Sequence, residues 1–323
     1  MNARLVVAAI ACLGLVTVGL LARPARYEVD GLSMAPGVMP GDVVATQPFP
    51  AADRARRPER FERWIVDSPA DGSALKRVVG LPGETLAIVN GDLLVDGMAV
   101  LKSPRVLAEV GIELATITAG PSPGRFDLPL TEVLDDAPFA TEVNRTLVPV
   151  NDLGIAAVVR TATGAAEIRL TGGGRRVTWR LTPHTRGCFV TGRLDGCFVA
   201  TAWKLPLPLL AVAGGRGCLP AAPPTSAHEK AWAHQKAWAH EEAWPAGDTD
   251  SGSGWSAEID DPAAIVERVW GWRDVHYRPA DGVAEWRLGA GSFLVLGDFP
   301  TASRDSRHWG PLAREALRHR LAP

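Results

Sequence analysis

Glycine and proline interrupt this chain too often for long helices to form. Its 323 residues include 33 Gly and 26 Pro, against eight Phe and two Tyr. Because Gly and Pro mark turns, this composition favours short strands joined by loops. A chain of this length can bury a sizeable core and has room for about two domains. The formal net charge of -2 argues against a broad basic surface, so no nucleic-acid partner is expected.

One apolar segment without charges lies at residues 5–22, between two arginines. At about 1.5 Å per residue it is just long enough to cross a hydrocarbon core of roughly 30 Å. The alternative is a cleavable signal peptide, but residues 20–24 form a poor cleavage site. We therefore predict a retained membrane anchor over residues 1–26, in contact with lipid. Arginines on both sides leave its orientation open.

Several stretches have β-branched or alternating patterns that end at turn residues, which predicts strands. Asn90-Gly91 accepts the positive φ values of a tight hairpin turn. The final basic segment, residues 312–320, is predicted as a short helix. The predicted strands are 42–46, 74–80, 84–89, 92–95, 155–160, 166–170, 176–181, 188–190 and 291–298.

The middle of the chain, residues 101–286, predicts an inserted antiparallel β lobe. An Ala-His-x-x-Ala-Trp unit is repeated at 227–244. Its period of six suits neither one helical face nor a strand, so we interpret it as a duplicated, solvated insertion rather than a metal or aromatic site. No Cys or His spacing resembles a zinc site, and no metal is predicted. Cys188 and Cys197 bracket a candidate hairpin and could form a disulfide in an oxidising compartment, but unpaired thiols, with Cys218, fit equally well.

Ser33 lies in a glycine- and proline-rich run, 31–42, where a serine is usually only a turn residue. A serine nucleophile needs a base, and neither a Gly-x-Ser-x-Gly motif nor a convincing histidine accompanies Ser33. Lysine occurs only at positions 76, 102, 204, 230 and 236, and Lys76 lies in an apolar strand. Desolvation lowers the pKa of a lysine, which can then act as general base. The alternative is an edge-strand lysine that extends to water.

Three stretches together resemble the type I signal peptidases, membrane-anchored serine proteases that use a Ser/Lys dyad. Residues 33–36 with Gly41-Asp42 resemble the nucleophile box, and 76–84 resemble the lysine box almost residue for residue. Gly297-Asp298 with residues 303–310 resembles the C-terminal box. The resemblance covers about 28–100 and 288–312. Gly37-Val38 and Phe299-Pro300 depart from the family pattern, which has Thr-Leu and Asn-Arg there.

The resemblance implies a role for each matching residue. Ser33 would be the nucleophile, with its backbone N–H in the oxyanion hole, and Lys76 the general base. Ser303 would orient the lysine, and Gly31 stands where some relatives place a second oxyanion-hole hydroxyl. The other matching positions would line the cleft (Met34) or brace the site through ion pairs (Arg77, Asp298, Asp305 and Arg307).

The implied fold class is mainly β: a signal-peptidase-like catalytic domain (27–100 and 287–323), the inserted lobe (101–286) and one N-terminal transmembrane helix. The implied function is removal of signal peptides from secretory preproteins with small residues at -1 and -3, without a cofactor. The enzyme would be single-pass in the cytoplasmic membrane, with its catalytic domain on the periplasmic side. The alternatives are a pilin-processing peptidase of conjugative transfer and an inactive membrane-tethered binding module. A self-cleaving SOS repressor fits less well, because the chain has an anchor and no evident DNA-binding helix pair.

Overall fold

A computed structural model describes residues 24–47, 56–70, 72–100, 102–118, 124–138, 146–195, 197–205, 254–262 and 264–322. The mainly β fold class is confirmed. The chain divides into two compact units: unit 1 comprises Met1–Met98 and Tyr277–Pro323, and unit 2 comprises Ala99–His276. No helix in the described ranges is long and apolar enough to span a membrane. Residues 1–23 of the predicted anchor and the repeat at 227–244 lie outside those ranges.

Unit 1 is built from two chain segments that pair in shared sheets. Strands are numbered along the chain. Its first segment contains β1 (Arg26–Glu28), β2 (Val43–Ala45), β3 (Arg63–Ser68), β4 (Gly72–Gly80), β5 (Thr85–Val89), β6 (Asp92–Val95) and β7 (Met98–Ala99). Its second segment contains β17 (Glu285–Arg287), β18 (Ser292–Leu296), β19 (Leu312–Ala313) and β20 (Leu317–Arg320), with the one-turn helix α2 (Ser306–Trp309) after β18.

The main sheet of unit 1 has the order β19-β18-β4-β3-β20, so β4 has a neighbour on each side. A second sheet has the order β17-β5-β6-β7, and β1 pairs with β2. Trp64, Val78 and Phe293 belong to one buried apolar cluster of the main sheet. The two segments therefore share a core, which holds residues far apart in the sequence at fixed positions.

Unit 2 consists of two antiparallel sheets, one of five strands and one of four. Ile155 from the first sheet and Ile168 and Trp255 from the second belong to one buried cluster, so the sheets pack face to face. The helix α1 (Pro104–Val110) begins at Ser103, whose hydroxyl accepts a hydrogen bond from the Val106 N–H. The strands are β8 (Ile112–Thr118), β9 (Gly124–Leu128), β10 (Leu153–Thr161), β11 (Ala166–Gly172), β12 (Arg175–Leu181), β13 (Arg186–Leu194), β14 (Cys197–Lys204), β15 (Trp255–Ile259) and β16 (Ala264–Arg273). The first sheet has the order β14-β13-β10-β16-β8, and the second has the order β12-β11-β15-β9.

The strand predictions are confirmed, since each predicted stretch overlaps one of β2, β4, β5, β6, β10, β11, β12, β13 and β18. The hairpin between β5 and β6 turns at Asn90 and Gly91, whose φ values are 53° and 99°. These local patterns could be interpreted directly because a tight turn and an alternating strand depend on adjacent residues.

The predicted C-terminal helix is wrong. Residues 312–320 form β19, a short 3-10 turn (Arg314–Ala316) and β20. Leu317 is buried and pairs with Val66, whereas Arg318 is exposed. The backbone of this segment pairs with β3, whose N–H and C=O groups would otherwise form an open sheet edge. This long-range pairing outweighs the local preference for a helix.

The candidate disulfide between Cys188 and Cys197 does not fit the register of the β13–β14 hairpin. Cys188 lies opposite Trp203, and Cys197 lies opposite Leu194. Positions 197 and 203 are therefore about 20 Å apart along one strand, whereas a disulfide needs Cα atoms within about 7 Å. Cys188 is buried. The hairpin turns next to Cys197 rather than midway between the two cysteines. Cys218 lies outside the described residues.

Candidate active site

Ser33 lies in a short 3-10 turn, Leu32–Met34, which follows β1. Met34 anchors this turn, since its side chain is fully buried in a cluster with Ile65 and Leu75. The carbonyl oxygen of Ser33 accepts a hydrogen bond of 3.1 Å from the Phe299 N–H. The backbone of Ser33 is therefore held by its buried neighbour Met34 and by the segment after β18.

Lys76 lies in the middle of β4, opposite Trp64 of β3. Its residue exposure is only 4%, and its Nζ lies 3.0 Å from Ser33 Oγ. Because β4 is an interior strand, the alternative of an edge-strand lysine extending to water is wrong. Burial disfavours the charged ammonium, and the serine hydroxyl lies within hydrogen-bond distance of the amine. The structure therefore places a buried amine against a serine oxygen 43 residues earlier.

Gly297 allows Ser303 to lie close to the Ser33 turn. It directly follows β18, whose Leu296 pairs with Arg77, so it lies beside Lys76 in the middle of β4. A Cβ at position 297 would lie 2.5 Å from the Ser33 carbonyl oxygen and still closer to Ser303 Oγ. Both groups pack against the same glycine. A side chain there would separate Ser303 from the Ser33 turn.

Asp305 organises the segment that carries Ser303. Its Oδ2 accepts hydrogen bonds from Ser303 Oγ at 2.8 Å and from the Gly297 N–H at 3.0 Å. Arg307 donates to both Asp305 oxygens, from Nε at 2.8 Å and from a terminal nitrogen at 2.9 Å. Burial alone would raise the pKa of Asp305, but the hydrogen bonds and charge of Arg307, with the Gly297 and Ser303 donors, outweigh burial and lower the pKa.

Arg77 and Asp298 form a second buried ion pair next to Lys76 and Gly297. Arg77 donates two hydrogen bonds of 2.7 Å to the two oxygens of Asp298 and a third, also 2.7 Å, to the Phe61 carbonyl. Both side chains are at most 2% exposed. The pair fixes the end of β18 against β4, and with it the position of Gly297.

Gly31 precedes the serine turn in an extended conformation, with φ -114° and ψ 162°. No atom lies within 4 Å of the place where its Cβ would be. A side chain would therefore fit at position 31, where this protein has glycine.

The predicted site residues of unit 1 thus fall into one region, around Ser33, Lys76 and Gly297. Sequence reasoning missed the close approach at Gly297, the N–H of Phe299 and the carbonyl of Phe61. The position of Gly297 directly before Asp298 was the one signal for the close approach. Nothing local indicated the Phe299 N–H or the Phe61 carbonyl, because both act through backbone atoms. Within the described ranges, no group of three or more His, Cys, Asp or Glu side chains is arranged to hold a metal ion.

In unit 1 a serine hydroxyl lies beside a buried lysine amine, and comparisons with known proteins support a peptidase. Residues 2–117 match the family model of "Signal peptidase, peptidase S26". The chain is 34% identical over 74 residues to Signal peptidase I V of Bacillus subtilis (strain 168), an alignment that covers 23% of this chain and 43% of that relative. The predicted resemblance to type I signal peptidases is confirmed. The chain spans less than half of this relative, and residues 297–310 lie outside the family match.

Proposed function

We propose that the chain is a serine endopeptidase that removes signal peptides from secretory preproteins with a Ser33/Lys76 dyad. The observation that carries this proposal is the 3.0 Å distance between Lys76 Nζ and Ser33 Oγ, with Lys76 buried in β4. The family match supports the class of reaction and substrate. Membrane attachment through residues 1–26, with the catalytic unit on the periplasmic side, belongs to the same proposal.

The proposed reaction needs no group beyond those in unit 1. A neutral Lys76 amine takes the proton of Ser33 Oγ as the oxygen attacks the scissile carbonyl carbon. The N–H of Ser33 donates to the developing oxyanion. The amine of the leaving peptide receives the proton from Lys76, and water then hydrolyses the acyl-enzyme with Lys76 again acting as base.

Ser303 and Asp305 support the base. Ser303 donates its hydrogen to Asp305, so its oxygen retains lone pairs that can accept a hydrogen bond from the Lys76 amine. Such a contact would restrict the rotamers of a flexible side chain and aim Nζ at Ser33. Ser303 is a positioning residue in this proposal, and Ser33 and Lys76 are the catalytic residues.

The experiment measures cleavage of a preprotein with alanine at -1 and -3. We expect Ser33→Ala, Lys76→Ala and Lys76→Arg to be inactive, the last because a guanidinium stays protonated. Ser73→Ala is the matched control, since Ser73 is an exposed serine in the same strand, and it should cleave at the wild-type rate. Undiminished cleavage by Lys76→Arg would contradict the general-base role.

The same assay separates the alternatives. Cleavage of a pilin precursor, without cleavage of the preprotein, would favour the conjugative-transfer peptidase. If the folded wild-type protein cleaves neither substrate, the binding-module alternative replaces the proposal. Folding is checked independently by the cooperative unfolding transition of each variant.

A further inference from the structure

A buried lysine in unit 2 contacts two buried carboxylates. Lys102 Nζ contacts Asp195 Oδ1 and lies 2.7 Å from Asp274 Oδ2. The Lys102 N–H also donates to Asp195 Oδ2 at 3.0 Å. The side chain of Lys102 is 3% exposed, and those of both aspartates are 0% exposed. These three residues are called the buried triad below.

The buried triad joins three connections of unit 2. Lys102 lies just before α1, Asp195 lies in the turn between β13 and β14 with a φ of 48°, and Asp274 directly follows β16. Leu194 and Trp272, near the two aspartates in sequence, belong to one buried apolar cluster. The two aspartates therefore lie in connections whose neighbouring residues are buried in one apolar cluster.

The charges of the buried triad do not balance when all three groups are ionised. One ammonium faces two carboxylates, and Arg273 next to it directs its guanidinium to the carbonyls of Ala137, Asp135 and Asp274. Asp274 Oδ1 is buried without a hydrogen-bond partner in the described structure. Arg273 shares its charge among Asp135, Asp274 and Asp136, so it offsets only part of this surplus, and proton uptake by a carboxylate relieves the rest.

The protonated group is Asp274. Burial, as the largest cause, and the nearby charge of Asp195 raise the pKa of Asp274 to about 6, although Lys102 opposes the shift. Near pH 6 about half of the molecules therefore hold a carboxylic acid at Asp274 beside Lys102 and Asp195, and about one in ten do so at pH 7.

We propose that Lys102 and Asp195 condense into an intramolecular isopeptide bond, with Asp274 relaying the protons. Proton transfer from the ammonium to Asp195 gives a neutral amine and a second carboxylic acid. Nζ attacks Cγ of Asp195 while Asp274 donates its proton to the carbonyl oxygen. Asp274 then takes the proton from the amine nitrogen and delivers it to the departing hydroxyl, which leaves as water, and the remaining hydroxyl returns its proton to Asp274 as the amide carbonyl forms. An N–C bond forms, a C–O bond breaks, one water leaves, and no oxidant or reductant is needed.

The product would stabilise unit 2 near both of its chain boundaries. The amide would link Lys102, near the start of the unit, to the β13–β14 turn, while Asp274 lies near the end of the unit. A covalent link across 93 residues restricts the unfolded chain in the way a disulfide does, without depending on a redox environment.

The test uses the full chain carrying Ser33→Ala, so that proteolysis cannot alter its mass. Intact mass spectrometry should give a mass about 18 Da below that of the sequence, the loss of one water. A tryptic digest should contain one branched peptide that joins the Lys102 and Asp195 segments, with no cleavage after Lys102. The full calculated mass after prolonged incubation near neutral pH would overturn the proposal.

Two variants and one chemical control make the result specific. Lys102→Arg keeps a cation but should show the full mass. Asp274→Asn keeps the size of the side chain but cannot relay protons, and should leave most of the chain uncondensed.

Asp195 precedes Gly196, and an Asp-Gly pair can also lose water by cyclising to a succinimide, which hydroxylamine cleaves. A water loss that persists in Lys102→Arg, or that hydroxylamine removes, would overturn the isopeptide. If Lys102→Arg fails to fold, the wild-type tryptic digest decides.

Discussion

Arg77 of β4 and Asp298 after β18 form a buried two-point ion pair, with two hydrogen bonds of 2.7 Å. The pair joins residues 221 positions apart and lies one residue from both Lys76 and Gly297. It therefore connects the integrity of the main sheet of unit 1 to the geometry of the candidate site.

Removal of one partner of the buried Arg77–Asp298 pair should destabilise the fold far more than removal of one partner of an exposed pair. We expect Asp298→Ala to lower the free energy of unfolding by about 3–5 kcal/mol, because it leaves the Arg77 guanidinium buried without its counter-charge. The measurement is urea unfolding. Arg318→Ala is the control, since Arg318 pairs with Asp67 on the surface, and its unfolding midpoint should be unchanged. Equal effects of the two variants would contradict this prediction.

Asp305 should make the folded state sensitive to acid. Its pKa is lowered in the folded protein, so the proton binds less well there than in the unfolded chain. Its contribution to stability is present above the ordinary aspartate pKa of about 3.9 and is lost as the pH falls through that value and then through the lower folded pKa. The difference in unfolding free energy between wild type and Asp305→Asn should shrink between pH 6 and about pH 3. A difference that is constant with pH would exclude this role.

Gly297→Ala should disturb the candidate site by overpacking. Its Cβ would lie 2.5 Å from the Ser33 carbonyl oxygen, so the Ser33 turn or Ser303 must move. We expect a loss of about 1–3 kcal/mol in unfolding free energy and a larger relative loss in preprotein cleavage. Gly289→Ala is the matched control, because its Cβ would make only an ordinary 3.7 Å contact with Ser292. If Gly297→Ala cleaves the preprotein at the wild-type rate, cleavage does not require Ser303 to pack so closely against the Ser33 turn.

Gly31→Ser should increase the cleavage rate without affecting folding. The position is extended and has open space, so a side chain fits there. A hydroxyl could supply a second donor to the oxyanion, and a single such donor is worth about a hundredfold or more in other enzymes. The measurement is kcat on the preprotein, with Gly31→Ala as the variant that has a side chain but no donor. If the two variants have the same kcat, the hydroxyl does not reach the oxyanion.

Short-range features were predictable from the sequence. The strands around Val43, Val78 and Ile155 and the Asn90-Gly91 turn follow from alternation, β-branching and turn chemistry, which adjacent residues determine. The scarcity of lysine also singled out Lys76, because a base must be able to lose its proton. Asp195 and Asp274, in contrast, carried no local signal, since nothing in either neighbourhood indicates a shared lysine.

Which distant residues meet depends on long-range pairing between strands. The register of β13 and β14 separates Cys188 from Cys197, and the open side of β3 draws the C-terminal segment into a strand. Local sequence patterns were enough to place Ser33 in a glycine-rich turn and Lys76 in an apolar strand. The 3.0 Å distance between them, with Ser303 packed on Gly297, depends on sheet order and on buried ion pairs, which are properties of the whole fold.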